Sequence, residues 1–319
     1  MKIGVLTFHC AHNYGAVLQC YATQEFLKSQ GHDVEIINYR PEYLLDPYRL
    51  FDINRILRGT PILFFKAIII ELLMFGNRYK RFRGFENFIN KRLNIGKVVG
   101  KDTLPSDCDA YVIGSDQVWN PKITRGFDSV YFAGFPFVKG EKKYVSYAAS
   151  METKNLDDAQ IEFFKKNLCN FDSLSVREDA LQQLLLPLTS KSISHVLDPV
   201  LMASSRIWDR FSSDKTDVDK YVVVYQVRSH PDTLRIAHHI ATQIGAKVKI
   251  LVAWPVFRSV KGTDQTATPE AFVDTIRNAA CVVTTSFHGT AFSVVFKRPF
   301  YTVKSVSYTH LTLPTMAVV

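Results

Sequence analysis

Cysteine is scarce and shows no pairing pattern. Cys10, Cys20, Cys108, Cys169 and Cys281 are scattered over 319 residues without a C-x-x-C pair. An odd number at such wide spacing argues against a disulfide framework and fits a reducing cytoplasm. No apolar run reaches the ~20 residues that a membrane-spanning helix needs. The most apolar stretch, Pro61 to Phe75, is interrupted by Lys66 and Glu71. It reads as a buried helix, with a helix lying on a membrane surface as the alternative. The opening Met1-Lys2-Ile3-Gly4-Val5-Leu6 meets His9, His12 and Asn13 before a secretion signal could form. The dinucleotide fingerprint G-x-G-x-x-G does not occur after the first strand. No metal-ligand spacing stands out, since His238 and His239 are adjacent and would point to different faces of a helix, so no metal is expected. The net charge is +9, and Arg78, Lys80, Arg81, Arg83, Lys91 and Arg92 lie close together. No zinc-finger, RNA-recognition or helix-turn-helix signature accompanies them, so nucleic acid is not expected as a partner. The cluster reads as a solvated helical face, and the basic and apolar region 61–92 is the place where a peripheral membrane contact would fall.

What is present is an ordinary globular composition, 47% hydrophobic and 22% charged, in a chain long enough for two cores. Ile3 to Phe8 reads as a strand ending in a polar loop, His9 to Asn13. Tyr14-Gly15-Ala16 then opens a helical repeat of Val17, Leu18, Tyr21, Ala22, Phe26 and Leu27, closed by Gly31. Val34 to Tyr39 is the next strand, so the chain begins β–α–β and its class is α/β. Residues 41–100 look like helical or irregular insertion material. Strands resume at Asp109 to Gly114 and Lys143 to Ser150; a helix over Asp157 to Phe171 and a short strand at Ser173 to Val176 follow. Residues 1–203 form a first domain on this reading, and a weakly patterned polar segment, Ser204 to Lys220, connects to a second at 204–305. There Tyr221 to Gln226 and Val248 to Ala253 are strands. Pro231 to Gln243 is a helix, and Thr268-Pro269-Glu270 caps another that runs to Ala279. Two such halves are expected to leave a substrate cleft between them.

The stretch Val282 to Phe296 concentrates the functional signal. Val282-Val283-Thr284-Thr285 has the make-up of a buried parallel strand. A turn then carries Ser286, Phe287, His288 and Gly289, and a short helix is expected from Thr290 to the stop at Pro299. Strand ends that open into helices are where α/β folds place ligands, because the first helical N–H groups are unpaired and the helix dipole favours anions. Other strand ends expected at one rim are Asn13-Tyr14-Gly15, Ser115-Asp116, Ala149-Ser150 and Arg177-Glu178.

Several of these segments together resemble the polysaccharide pyruvyl transferase family. They are Asn13-Tyr14-Gly15-Ala16 with Gln19, Gly114-Ser115-Asp116-Gln117-Val118-Trp119-Asn120, Ser146-Tyr147-Ala148-Ala149-Ser150, Ser175-Val176-Arg177-Glu178, Leu197-Asp198-Pro199 and Thr285-Ser286-Phe287-His288-Gly289-Thr290. The resemblance runs from Met1 to Val303. It implies two Rossmann-like domains in a GT-B-like arrangement. It also implies transfer of an enolpyruvyl unit from phosphoenolpyruvate to hydroxyls of a sugar or lipid-linked glycan, giving a cyclic ketal on a cell-surface or exopolysaccharide precursor. Phosphoenolpyruvate is then a donor substrate and no cofactor is required. The expected location is the cytoplasm, at the inner face of the cell membrane if the 61–92 region touches it. Better-understood branches of the family carry Arg-Leu-His where this chain has Ser286-Phe287-His288; the histidine matches, and serine stands at the arginine position.

Ketal formation must protonate the donor methylene, deprotonate attacking hydroxyls and release phosphate. His288 is the expected proton-transfer residue. Asp116 is a candidate base or holder of sugar hydroxyls, with a turn-capping role as the alternative. Arg177 is the candidate for the donor anion, or else an ion-pair partner of Glu178 or Asp179. The helix start at Gly289-Thr290 would assist. Asn13, Tyr14, Gly15, Gln19, Ser115 and Ser286 are candidate substrate-binding positions, and Trp119 is either a sugar platform or a buried aromatic. Two rival functions share these residues: a nucleotide-sugar glycosyltransferase, and a non-catalytic glycan-binding or assembly protein.

The last segment departs from this pattern. Val306-Ser307-Tyr308-Thr309-His310-Leu311-Thr312-Leu313-Pro314-Thr315 reads like a translated sequencing-library adapter. Residues 306–319 are therefore expected to be a non-native tail, with the second domain incomplete ahead of it.

Overall fold

The computed structural model describes residues 1–51, 61–103, 107–134, 142–153, 155–212 and 219–303. The tail at 306–319 lies outside them. The chain divides into two compact units, Met1–Pro47 with Ile89–Ile207, and Tyr48–Phe88 with Trp208–Val319.

In the first unit β1 (Lys2–Leu6) is followed by helix α1 (Tyr14–Ser29) and β2 (Asp33–Tyr39). Asn13 starts α1 because its Oδ1 accepts the Gly15 and Ala16 N–H groups at 2.9 and 3.4 Å. The chain then runs through the long helix α2 (Pro61–Arg92), which belongs to the second unit as far as Phe88, and returns as β3 (Ile95–Val99), β4 (Ala110–Ile113) and β5 (Lys143–Ser146). These strands pair in the order β3-β2-β1-β4-β5, all parallel, with Leu6 opposite Ile113 and Ile113 opposite Ser146. Helix α3 (Asp158–Asn167), β6 (Leu174–Val176), α4 (Asp179–Leu185) and β7 (Ile193–His195) complete the unit. Parallel bridges Val145–Ser173 and Ala149–Val176 set β6 beside β5. All the loops that leave these strands at their C-terminal ends therefore emerge on one rim.

Strand β3 falls inside the segment read from sequence as insertion material. Ile95-Gly96-Lys97-Val98-Val99 is a half-exposed edge strand, so it lacks the apolar run that marks a central one. The rest of that segment is mostly α2, which up to Phe88 belongs to the second unit and packs within it. Arg81 donates to the Ala253 carbonyl at 2.9 Å, Gly84 lies against Thr268, and Phe88 meets the Phe211 ring at 5.8 Å.

The second unit repeats the architecture with β8 (Tyr221–Gln226), α5 (Pro231–Ile244), β9 (Lys247–Val252), β10 (Thr263–Asp264), α6 (Pro269–Arg277), β11 (Cys281–Thr284), α7 (Phe287–Val295) and β12 (Phe300–Thr302). The parallel order is β10-β9-β8-β11-β12. Val222, Val223 and Val224 on β8, with Val282 and Val283 on β11, are fully buried. Each such side chain contributes ~1.5–3 kcal/mol on removal from water. The polar connection expected at 204–220 instead contains the 3₁₀ segment Ser205–Phe211, with Trp208 and Phe211 in the core; the Trp208 ring meets Phe292 of α7 edge-on at 4.9 Å.

Candidate functional site

The rim of the first unit is built around Arg177, which leaves β6 with its side chain only 7% exposed. Its Nη1 donates to Asp198 Oδ2 at 2.9 Å, its Nη2 to Ser150 Oγ at 2.9 Å, and its Nε to Glu178 Oε1 at 3.1 Å. The Ser150 hydroxyl donates to the same Glu178 oxygen at 2.6 Å. Burial works against the guanidinium charge, but Glu178, Asp198 and Asp116 more than offset it and raise the Arg177 pKa. One cation thus sits among three carboxylates, and each end of its planar fork already has an acceptor.

Asp198 divides its two oxygens. Oδ1 caps the one-turn helix Pro199–Met202 by accepting the Val200 N–H at 2.9 Å, while Oδ2 takes Arg177 and the Ser115 hydroxyl at 3.0 Å. Ser115 is buried and also contacts the Ala148 carbonyl at 3.0 Å, and its own carbonyl accepts the Thr7 hydroxyl at 2.9 Å. Gln19 donates to Thr7 Oγ1 at 2.8 Å and to the Ala16 carbonyl at 2.9 Å, while its Oε1 is buried without a hydrogen-bond partner among the described residues. Asp116 is half-buried and has a left-handed backbone, φ +74°, which costs a non-glycine residue ~1–3 kcal/mol. Its carbonyl accepts the Val118 and Ser150 N–H groups at 2.8 and 3.0 Å, and its Oδ1 accepts the Gln117 N–H at 2.8 Å. Gly114 ahead of it is at φ +115°, and a Cβ there would fall 2.2 Å from the Tyr147 carbonyl, so only glycine fits.

Asn13 uses its Oδ1 as the α1 cap, and Tyr14 and Gly15 are buried. Trp119 is no sugar platform. It is fully buried, donates from Nε1 to the Tyr131 carbonyl at 2.9 Å, and stacks on Phe132 at 5.3 Å.

At the rim of the second unit, β11 ends in a hydroxyl relay. Thr284 Oγ1 donates to the Tyr225 carbonyl at 2.7 Å and accepts the Ser286 N–H at 3.0 Å. Ser286 is the N-cap of α7, its Oγ accepting the Gly289 N–H at 3.4 Å. The helix therefore starts at Phe287, three residues earlier than the sequence reading, because the serine cap draws Phe287 and His288 into the first turn. His288 is 8% exposed and lies edge-on to the Phe287 ring at 5.1 Å. Thr290 Oγ1 reaches the Ser286 carbonyl at 3.2 Å and Thr302 Oγ1 at 2.8 Å. Gly289 is needed for close approach: a Cβ would come within 2.3 Å of Thr284 Oγ1. Gly289→Ala is expected to lower stability by ~1–3 kcal/mol through overpacking, measured as a fall in midpoint in urea unfolding.

Sequence reasoning overlooked Arg228. The Thr285 hydroxyl donates to its carbonyl at 3.0 Å, which ties the loop after β8 to the end of β11, and the Arg228 side chain is exposed. No helical or strand periodicity marks a loop arginine, and its neighbour Thr285 is 57 positions away. Asp198 appeared only within a motif string, because its tie to Arg177 is visible only in three dimensions, whereas the alternative pairing of Arg177 with its neighbour Glu178 is present.

The two Rossmann-like units, each a parallel sheet with helices, define the GT-B-like class of α/β fold. The sequence profile of the family described as polysaccharide pyruvyl transferase matches residues 13–305, and the chain belongs to that family, a class of polysaccharide-modifying transferases. Among curated proteins no sequence match is found. In fold the chain is similar to a Listeria monocytogenes protein assigned as a UDP-N-acetylglucosamine 2-epimerase, with 9% identity, 95% of this chain and 79% of the other covered, and a TM-score of 0.50. The UDP-GlcNAc 2-epimerase of Methanocaldococcus jannaschii follows at 13% identity, 96% and 84% coverage and a TM-score of 0.46. The E. coli heptosyltransferase WaaC stands at 11%, 96% and 89%, and 0.42.

Proposed function

We propose that this transferase moves a pyruvyl unit from phosphoenolpyruvate to two hydroxyls of a sugar in a cell-surface or exopolysaccharide precursor. The observation that carries the reading is the family match over residues 13–305, which spans both rims and includes His288. A proton is delivered to the donor's methylene carbon, leaving a cationic centre at C2 that one sugar hydroxyl attacks. The second hydroxyl displaces phosphate from C2, and the products are the ketal and inorganic phosphate. Two hydroxyl protons are lost: one replaces the proton placed on the new methyl group and the other leaves through a base.

His288, in the first turn of α7, is the proton donor in this scheme. The donor's carboxylate and phosphate suit the same helix start, where the dipole and first-turn N–H groups favour anions. Arg228 supplies the cation at this rim, since Arg177 is already divided among Glu178, Asp198 and Ser150. Taken by itself, the carboxylate-rich rim of the first unit suits sugar hydroxyls, which are donors, better than an anionic ligand.

Arg228→Ala is expected to raise the KM for phosphoenolpyruvate about tenfold or more, the worth of one charge-assisted contact, with an unchanged melting temperature because the side chain is exposed. An unaltered KM removes Arg228 from the donor site. The reading as a whole is tested by phosphate release from phosphoenolpyruvate across a panel of sugar acceptors. Acceptor-dependent release supports it, and turnover of nucleotide sugars alone would replace it with a glycosyltransferase.

A further inference from the structure

Helix α2 carries an apolar face that the described residues leave uncovered. Phe65, Ile69, Leu72 and Leu73 are 65, 57, 62 and 66% exposed, against a typical core value near zero for Ala67 and Met74 on the opposite side. Their spacing of four, three and one residues places them on one stripe, about 12 Å long. Further along the same face come Gly76, then Lys80 and Arg83, both exposed. At its edge Phe51 stacks on Phe75 at 5.1 Å and Phe75 on Tyr79 at 5.8 Å, with Phe51 and Tyr79 partly exposed.

The exposed charges of α2, among the described residues, have one sign. The exposed charged residues of α2 are Lys66, Lys80, Arg83 and Lys91. Of its acids, Glu71 is buried and ion-paired with Arg78, and Glu86 is half-buried. The basic cluster seen in the sequence thus divides: Arg78 and Arg81 face inward with protein partners, while Lys80 and Arg83 extend the apolar face. An apolar stripe on a helix whose exposed charges, among the described residues, are all cationic matches a surface that offers hydrocarbon beneath a layer of negative charge. A second copy of the same helix would set lysine and arginine against lysine and arginine, which disfavours self-association through this face. No helix among the described residues is long and apolar enough to cross a membrane, so the geometry suits lying on one.

We infer that the exposed face of α2 docks on anionic phospholipid bilayers, Phe65, Ile69, Leu72 and Leu73 entering the headgroup–acyl boundary and Lys80 and Arg83 meeting lipid phosphates. The test is flotation of the full chain with vesicles of phosphatidylcholine alone and of equal parts phosphatidylcholine and phosphatidylglycerol. The protein is expected to float with the anionic vesicles, to stay behind with the neutral ones, and to be released progressively by salt. Ile69→Asp with Leu72→Asp, and separately Lys80→Glu with Arg83→Glu, should each weaken vesicle binding by at least about tenfold. Circular dichroism melting should be unchanged, because all four positions are exposed. No binding by the wild type overturns the inference, as does equal binding by both folded variants. A concentration-dependent dimer that Leu72→Asp dissolves, without vesicle binding, overturns it in favour of a second copy.

Discussion

His288→Ala should lower the turnover of phosphoenolpyruvate by ~10²–10⁴-fold while leaving the protein folded. The size of the effect follows from the step it removes. Proton transfer to carbon is slow without a positioned acid, and water does not replace a group held in the first turn of a helix. Folding should survive because alanine suits a helical position at least as well as histidine, and the α7 cap is provided by Ser286 rather than His288. His288→Gln, which keeps a polar side chain of similar reach but cannot titrate near neutrality, should be as inactive as the alanine variant. Steady-state phosphate release checks both, with circular dichroism melting as the control for folding. A folded His288→Ala enzyme that keeps its turnover removes His288 from the chemistry.

Arg177→Ala should act first on stability. Removing the guanidinium leaves Asp198, which is 1% exposed, and the Glu178–Ser150 pair without their cation. Breaking a buried pair from one side costs ~3–5 kcal/mol. For a unit of this size that is a fall in melting temperature on the order of 10 °C. Arg177→Lys should rescue little of it, because one ammonium cannot span three acceptors set around a planar fork. The contrary result is also informative. An unchanged melting temperature with lost affinity for phosphoenolpyruvate, measured by titration calorimetry, would return Arg177 to the donor site that its place in the sequence suggested.

These two residues mark how far the sequence alone could be read. The β–α–β opening was legible because Val17, Leu18, Tyr21 and Ala22 recur at helical spacing between two apolar strands. The valine runs of β8 and β11 announced the second sheet in the same way. Strand β3 was not legible, since a five-residue edge strand with three half-buried and two exposed residues carries too little apolar signal. His288 could be singled out because its signal is local: a strand end, small residues, then a helix. The position of the helix start was missed by three residues, because a single serine hydroxyl decides it. Arg177 could be read only in part: its pairing with adjacent Glu178 was among the alternatives, but its other partners lie 21 residues away at Asp198 and 27 away at Ser150. Helix α2 illustrates the same limit on a larger scale. Its sequence mixes apolar and basic residues around the whole circumference, and only packing reveals which of them face inward.

In the proposed reaction phosphoenolpyruvate is protonated at its methylene carbon and captured by sugar hydroxyls. Mass spectrometry and NMR of the product formed in D₂O test it most directly. The expected product is an acceptor heavier by one pyruvyl ketal whose methyl group carries a single deuterium, with one phosphate released per ketal. An acceptor that gains a glycosyl unit from a nucleotide sugar instead, with phosphoenolpyruvate left intact, would contradict it.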